Sequence, residues 1–140
     1  MHYITPKEYL EQGKRANRRR KYNNRKIELD GYVFDSKLEA DYYTELKLRK
    51  QAKDIKSFKI QPRYLLQNSF VKENVKYQKI EYVADFEILH NDGSIEVIDT
   101  KGVKTAVFRI KEKMFHKRYS HKLTLVTKED FYTKGRGQIF

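Results

Sequence analysis

The stretch IEVIDTKG, Ile95 to Gly102, closes an apolar run with an acid, a threonine and a lysine. Residues two apart on a strand share a face, so Asp99 and Lys101 point where Ile95 and Val97 point, which is inward. A second acid lies upstream in IEYVADFEIL, where Glu81, Asp85 and Glu87 share a phase with Val83 while Tyr82, Ala84, Phe86 and Ile88 share the other. If the two segments pair through the turn at residues 90–93, Asp85 and Asp99 come from strands about 5 Å apart, in a register the spacing leaves open. Two carboxylates facing one another repel and are costly to bury unless a cation sits between them, and hard oxygen ligands select magnesium, manganese or calcium. Lys101 would add positive charge where an anionic transition state develops, so metal, acids and lysine together suit phosphodiester hydrolysis. Each piece has a plainer reading: Asp99 and Lys101 as a salt bridge at a sheet edge, Asp85 as the start of a turn. Glu96 falls on the phase opposite Asp99, toward an exposed or helix-covered side.

The elements needed to hold these groups follow from spacing. A short helix is predicted over residues 6–12, stopping at Gly13. The run KRANRRRKYNNRK, Lys14 to Lys26, then reads as a phosphate-binding arm or as a merely solubilising tract. Asp30-Gly31 in RKIELDGYVFDS suits a tight hairpin turn. Ser36 and Glu39 have capping-box spacing, and Leu38, Tyr42 and Leu46 recur at helical intervals, which predicts a helix from Ser36 to about Ala52. Residues 55–67 are β-like around Pro62, residues 80–89 read as one longer strand, and residues 94–100 as its hairpin partner. Thr105 caps a second helix with Val107, Ile110, Met114 and Phe115 on its apolar face, before a last strand at residues 123–126. That order predicts an α/β or α+β domain with a mixed sheet covered by helices, organised as a basic arm over residues 1–26 and a single domain over residues 27–140.

With 31 Lys and Arg against 19 Asp and Glu, the 140-residue chain carries a formal net charge of +12, which favours polyanionic partners, nucleic acid first. Lysines that are only a solvated face would give the same balance. The absence of cysteine excludes disulfides, zinc-thiolate sites and thiol chemistry. No apolar run approaches the roughly 18 residues of a membrane span, so an intracellular soluble protein without membrane partners is expected. The four histidines show neither paired metal spacing nor a triad-like neighbour.

The pattern VADF...EVIDTKG resembles the core signature of the PD-(D/E)xK nuclease superfamily, in which an aspartate and then an acid-x-lysine on the adjoining strand hold the catalytic metal. KYNNRKIELDGYVFDSKLEADYYTELKL, QPRYLL, YVADFEI and DTKGVKTAVFRIKEKMF resemble, in order, the pattern of a small phage and prophage family placed in that superfamily, over Lys21 to about Val126. The resemblance implies a restriction-endonuclease-like mixed sheet flanked by helices. It further implies a Mg2+-dependent endonuclease, with Mn2+ as substitute, that cuts duplex or branched DNA to leave a 5′ phosphate and a 3′ hydroxyl. Phage DNA replication or recombination in the host cytoplasm is the implied setting, and many relatives cut as homodimers.

Residue by residue, Asp85 matches the first aspartate, Asp99 the second acid and Lys101 the lysine, while Ala84 stands where a proline that supplies no ligand often sits. Glu39 of SKLEA matches a helix glutamate that several members add to the metal site, and it also has the position of Ser36's capping partner. A backbone carbonyl near Thr100 completes the implied ligand set. Gln61 either lines the same pocket or punctuates a strand end before Pro62. DNA contacts are expected from Arg15, Arg18, Arg19, Arg20, Lys21 and Arg25 in the arm, and from Lys104 and Arg109 after the site, although solvated surface charge accounts for the last two equally well. The alternative function is a non-catalytic nucleic-acid-binding accessory protein of the same fold; a basic RNA-binding protein with an accidental acid-x-lysine is a further rival.

Overall fold

The structure, a computed structural model, describes residues 25–135. By its contacts the chain divides into two units, Met1–Asp41 and Tyr42–Phe140. In the first unit, β1 (Ile27–Leu29) and β2 (Tyr32–Phe34) pair antiparallel around Asp30 and Gly31. Both turn residues have positive φ, 53° and 82°, as a two-residue hairpin turn of right-handed twist requires. Helix α1 (Lys37–Gln51) follows, within a residue of the expected bounds. Its cap is reciprocal: Ser36 Oγ accepts the Glu39 amide at 3.1 Å, and the Glu39 carboxylate accepts the Asp35 amide at 3.4 Å.

The second unit contains β3 (Ser57–Ile60), β4 (Arg63–Gln67), β5 (Phe70–Lys72), β6 (Val75–Tyr77), β7 (Ile80–Val83), β8 (Phe86–Leu89), β9 (Ile95–Asp99), helix α2 (Ala106–Arg118), β10 (Lys122–Leu125) and a π-helical turn at Asp130–Gly135. The central sheet has the order β10-β9-β8-β3, with β10 parallel to β9 and the other pairs antiparallel. A parallel neighbour needs a crossover, and α2 is that crossover. The mixed α/β architecture expected from the sequence is present. Among the described residues no helix is long and apolar enough to cross a membrane.

The expected single strand over residues 80–89 is two strands in two sheets. β7 pairs with β4, whereas β8 pairs with β9 and β3. The break falls at Ala84 and Asp85, opposite Gln61 and Pro62, so both partners turn the same corner together. Pro62 has no amide to offer the ladder; its carbonyl accepts the Ala84 amide at 3.1 Å, and the Gln61 amide reaches the Asp85 carbonyl at 2.9 Å. Gln61 pays for this corner with a left-handed backbone, φ 50°.

Strand β9 is buried on both sides. Val97 lies in one cluster with Tyr64, Leu66, Tyr82, Ala84, Phe108 and Phe115. Ile98 belongs to the opposite face with Phe86, where Tyr42 stacks on Phe86 at 5.4 Å and Tyr43 meets Phe58 edge-on. Helix α2 turns part of the expected face to the core: Phe115 is buried and Met114 packs against the core cluster, but Phe108 is buried where Val107 and Ile110 were expected, and these are 63% and 61% exposed. At about 100° per residue the Val107–Ile110–Met114 stripe lies beside the Phe108–Phe115 line, and the larger rings take the core. Thr105 caps the helix as expected, its side chain accepting the Phe108 amide at 3.0 Å. Phe115 touches Tyr64, Tyr82 and Tyr119 with ring centroids 5.1–5.6 Å apart. Phe115→Ala should therefore lower unfolding free energy by about 3–5 kcal/mol, read from the urea midpoint.

Candidate functional site

The register settles which carboxylates meet. Phe86 pairs with Ile98 and Glu87 with Val97, so the next rung brings Asp85 opposite Asp99, and the two alternate onto the face that holds Val97. Their backbones are fixed on both sides. The Asp85 amide donates to the Ile98 carbonyl at 3.1 Å, its carbonyl accepts from Gln61, and the Asp99 carbonyl accepts from Val126 at 2.9 Å. Gln61 thus joins the rung through its main chain and is exposed.

Each carboxylate has one oxygen held by a hydroxyl. Thr100 donates both its amide and its Oγ1 to Asp85 Oδ2, each at 2.7 Å. Tyr82 donates its phenol to Asp99 Oδ2 at 2.5 Å. Sequence reasoning placed Tyr82 on the apolar phase opposite Asp85 and gave it no role. The sheet switch at Ala84–Asp85 brings its ring to the Asp99 side, and the available signal was a phenol in a buried phase, which requires a partner. Lys101 Nζ stands 3.8 Å from Asp99 Oδ1 and 4.9 Å from the centre of the Phe108 ring, held between a carboxylate and an aromatic face. The expected Asp99–Lys101 ion pair therefore exists, and it sits at a buried acid, since Asp99 is 3% exposed.

Burial pushes the Asp99 carboxyl up most strongly; the Tyr82 hydrogen bond pulls it down, the Asp85 charge pushes it up again, and Lys101 pulls it down, leaving it at about 6. Burial, then the bond to Asp99, raises the Tyr82 phenol well above its ordinary value, so it remains a donor. Asp99 therefore keeps its proton to a higher pH than an exposed aspartate does. Among the described residues no group of three or more His, Cys, Asp or Glu side chains could hold a metal ion. Two carboxylates with fixed rotamers nevertheless suit Mg2+, which binds through one or two carboxylates and keeps waters and substrate phosphates as its remaining ligands.

Glu39 belongs to the first unit and serves the α1 cap. Lys104 pairs with Glu112 at 3.2 Å, which neutralises part of its charge, and Arg109 is exposed on α2. Arg25 is exposed ahead of β1, while Arg15, Arg18, Arg19, Arg20 and Lys21 lie outside the described residues, as does the helix expected at residues 6–12. Glu96 is half-buried, hydrogen-bonded by Thr124 and, at 2.8 Å, by His90 Nε2. Burial acts to raise its carboxyl, but these two donors outweigh it and hold it below the ordinary value.

No curated protein and no solved structure matches the chain. A family model described as "Protein of unknown function (DUF1064)" matches residues 19–134, most of the chain from the basic run through the last strand, and the chain belongs to that family.

Proposed function

We propose that the protein is a divalent-metal-dependent endonuclease that hydrolyses DNA phosphodiester bonds, built on a restriction-endonuclease-like sheet. The observation that carries this reading is the Asp85–Asp99 rung, two acids on one face with a lysine 3.8 Å from the buried one. A mixed four-stranded sheet with α2 crossing between its parallel strands, and α1 residues packed on the opposite face, supports the fold assignment. The +12 net charge supports a polyanionic substrate.

Asp85 and Asp99 would hold the ion; when bound, it supplies Lewis acidity and neutralises phosphate charge. Thr100 fixes the Asp85 carboxylate, and Tyr82 fixes that of Asp99, so neither has to reorganise as charge develops. Lys101, seated on Phe108, offers its ammonium group to the non-bridging oxygens of the attacked phosphate. A water oxygen bonds to phosphorus, the bond from phosphorus to the 3′ oxygen breaks, and that oxygen leaves as a hydroxyl once protonated. The 5′ phosphate remains on the other fragment.

The test is a cleavage panel of linear duplex, flap, fork, four-way junction and single strand, with Mg2+, with Mn2+ and with chelator. Cutting of at least one substrate only in the presence of metal is expected. Intact substrates throughout, or cutting that persists in chelator, would dismiss the proposal, and binding without cutting would favour the accessory-protein alternative.

A further inference from the structure

Strands β5 and β6 form a ribbon of their own, with no third strand beside them among the described residues. Its two-residue turn is made by Glu73 and Asn74, both left-handed with φ of 50° and 64°. Every residue from 67 to 79 is exposed. A lone two-stranded ribbon is marginal in water, yet this one carries Phe70, Val71, Val75 and Tyr77 at 45–68% exposure. Phe70 and Tyr77 are cross-strand partners whose rings stack 4.9 Å apart and 13° from parallel. Lys72 and Val75 extend the same face.

Basic groups accompany the rings. Lys79 is taken by Glu81 at 2.5 Å, but Lys72 and Lys76 form no ion pair among the described residues. Strand β4, which precedes the ribbon, is fastened to the end of α2: the Tyr119 phenol donates to the Leu65 carbonyl at 2.9 Å, and the Arg118 guanidinium to that of Leu66 at 3.3 Å. There Lys113, Lys117 and Arg118 border a groove of about 540 Å³ floored by Leu66 and Met114.

We infer that the β5–β6 ribbon is a nucleic-acid-binding arm that takes unpaired bases of branched DNA against the Phe70–Tyr77 ring pair and neighbouring phosphates on Lys72 of the same face. The inference rests on the reading of the protein as acting on DNA, and it adds the substrate feature that reading leaves open. The centres of protein–protein interfaces are depleted in lysine, whereas rings interleaved with lysines are the composition of single-strand platforms. A two-stranded ribbon also fits the major groove of a duplex, but base-edge reading there needs polar donors and acceptors, and this face offers mainly ring and aliphatic surface. Stacking asks only for a base whose π-face is open.

The test measures fluorescence anisotropy in chelator, on a labelled fork with single-stranded arms and on a fully paired duplex. Wild type should prefer the fork. Phe70→Ala combined with Tyr77→Ala should weaken fork binding about ten-fold and duplex binding little, while Phe70→Trp with Tyr77→Trp should keep it. Lys72→Gln should lower the slope of log affinity against log salt on single-stranded DNA by about 0.7, and Lys76→Gln, on the opposite face, should change it little. All residues changed lie outside the core, so melting curves of these variants should superimpose on wild type. Fork affinity unchanged by the alanine pair, absence of DNA binding by wild type, or ribbon variants that alter self-association instead of DNA affinity would each overturn the inference. Ribbon-dependent fork binding without cleavage would sink the nuclease reading and leave the arm standing. Cleavage and binding indifferent to the ribbon would do the reverse.

Discussion

Asp99→Asn is expected to reduce metal-dependent DNA cleavage about 10³-fold while leaving metal-free DNA affinity within about two-fold of wild type. Asparagine keeps the size of the side chain and an oxygen that can accept the Tyr82 phenol, so the packing around the rung survives. What disappears is the charge: the proposed divalent ion would lose one of two carboxylates, and Lys101 loses the anion that stands 3.8 Å from its Nζ. Tyr82→Phe is the graded companion. It removes the bond that orients Asp99 without touching the charge, and its loss should be about ten-fold, the size typical of outer partners of a metal ligand. Lys101→Met should fall with Asp99→Asn, since nothing else within the described rung supplies an ammonium group. Initial rates under saturating Mg2+, with anisotropy in chelator as the binding control, distinguish these levels. An Asp99→Asn protein that cuts within ten-fold of wild type would remove Asp99 from the chemistry.

The parts of this site that were legible in the sequence are those governed by period-two alternation. Asp99 and Lys101 follow the phase of Val97, and Asp85 follows that of Glu87, so one hairpin register was enough to bring the acids together. Tyr82 escaped because alternation assumes a strand that stays in one sheet. The corner at Gln61–Pro62 and Ala84–Asp85 breaks that assumption, and "QP" was readable only as punctuation until its partner was known. Helix α2 shows a second limit: Met114 and Phe115 of the expected stripe reach the core, but neighbouring Phe108 buries more surface and takes the place of Val107 and Ile110. Glu39 was legible as the capping partner of Ser36, because its spacing forms the cap locally. The β5–β6 ribbon was invisible for a different reason. Spacing assigns no element to residues 68–79, and only coordinates reveal that Phe70, Val71 and Val75 are left in solvent.

In the metal-free protein, Asp99→Asn should raise stability at neutral pH, because the buried acid is a cost the fold carries for its site. The Asp99 carboxyl stands at about 6 in the folded chain against an ordinary 3.8, with burial and then the Asp85 charge pushing it up. Between those values the folded state keeps a proton that the unfolded state releases, so unfolding free energy falls as pH rises from about 4 to about 6 and is level above that window. The gap corresponds to about 2–3 kcal/mol. Asparagine has no proton to lose and can donate its amide to Asp85, so the variant should melt about 5–10 °C above wild type at pH 7.5 in chelator, and the difference should close near pH 4. Glu96 acts in the opposite sense and in a separate window: its carboxyl is held below 4.5, so it contributes stability that is lost only as pH falls beneath that value, in both proteins alike. Adding Mg2+ or Mn2+ should reverse the order. The cation replaces the proton at the Asp85–Asp99 pair and stabilises wild type by mass action, while the variant, with one carboxylate fewer, responds weakly. A variant less stable than wild type at pH 7.5 in chelator, or a metal response of equal size in both, would mean that the rung is an ordinary salt-bridged strand end and not a place kept for a cation.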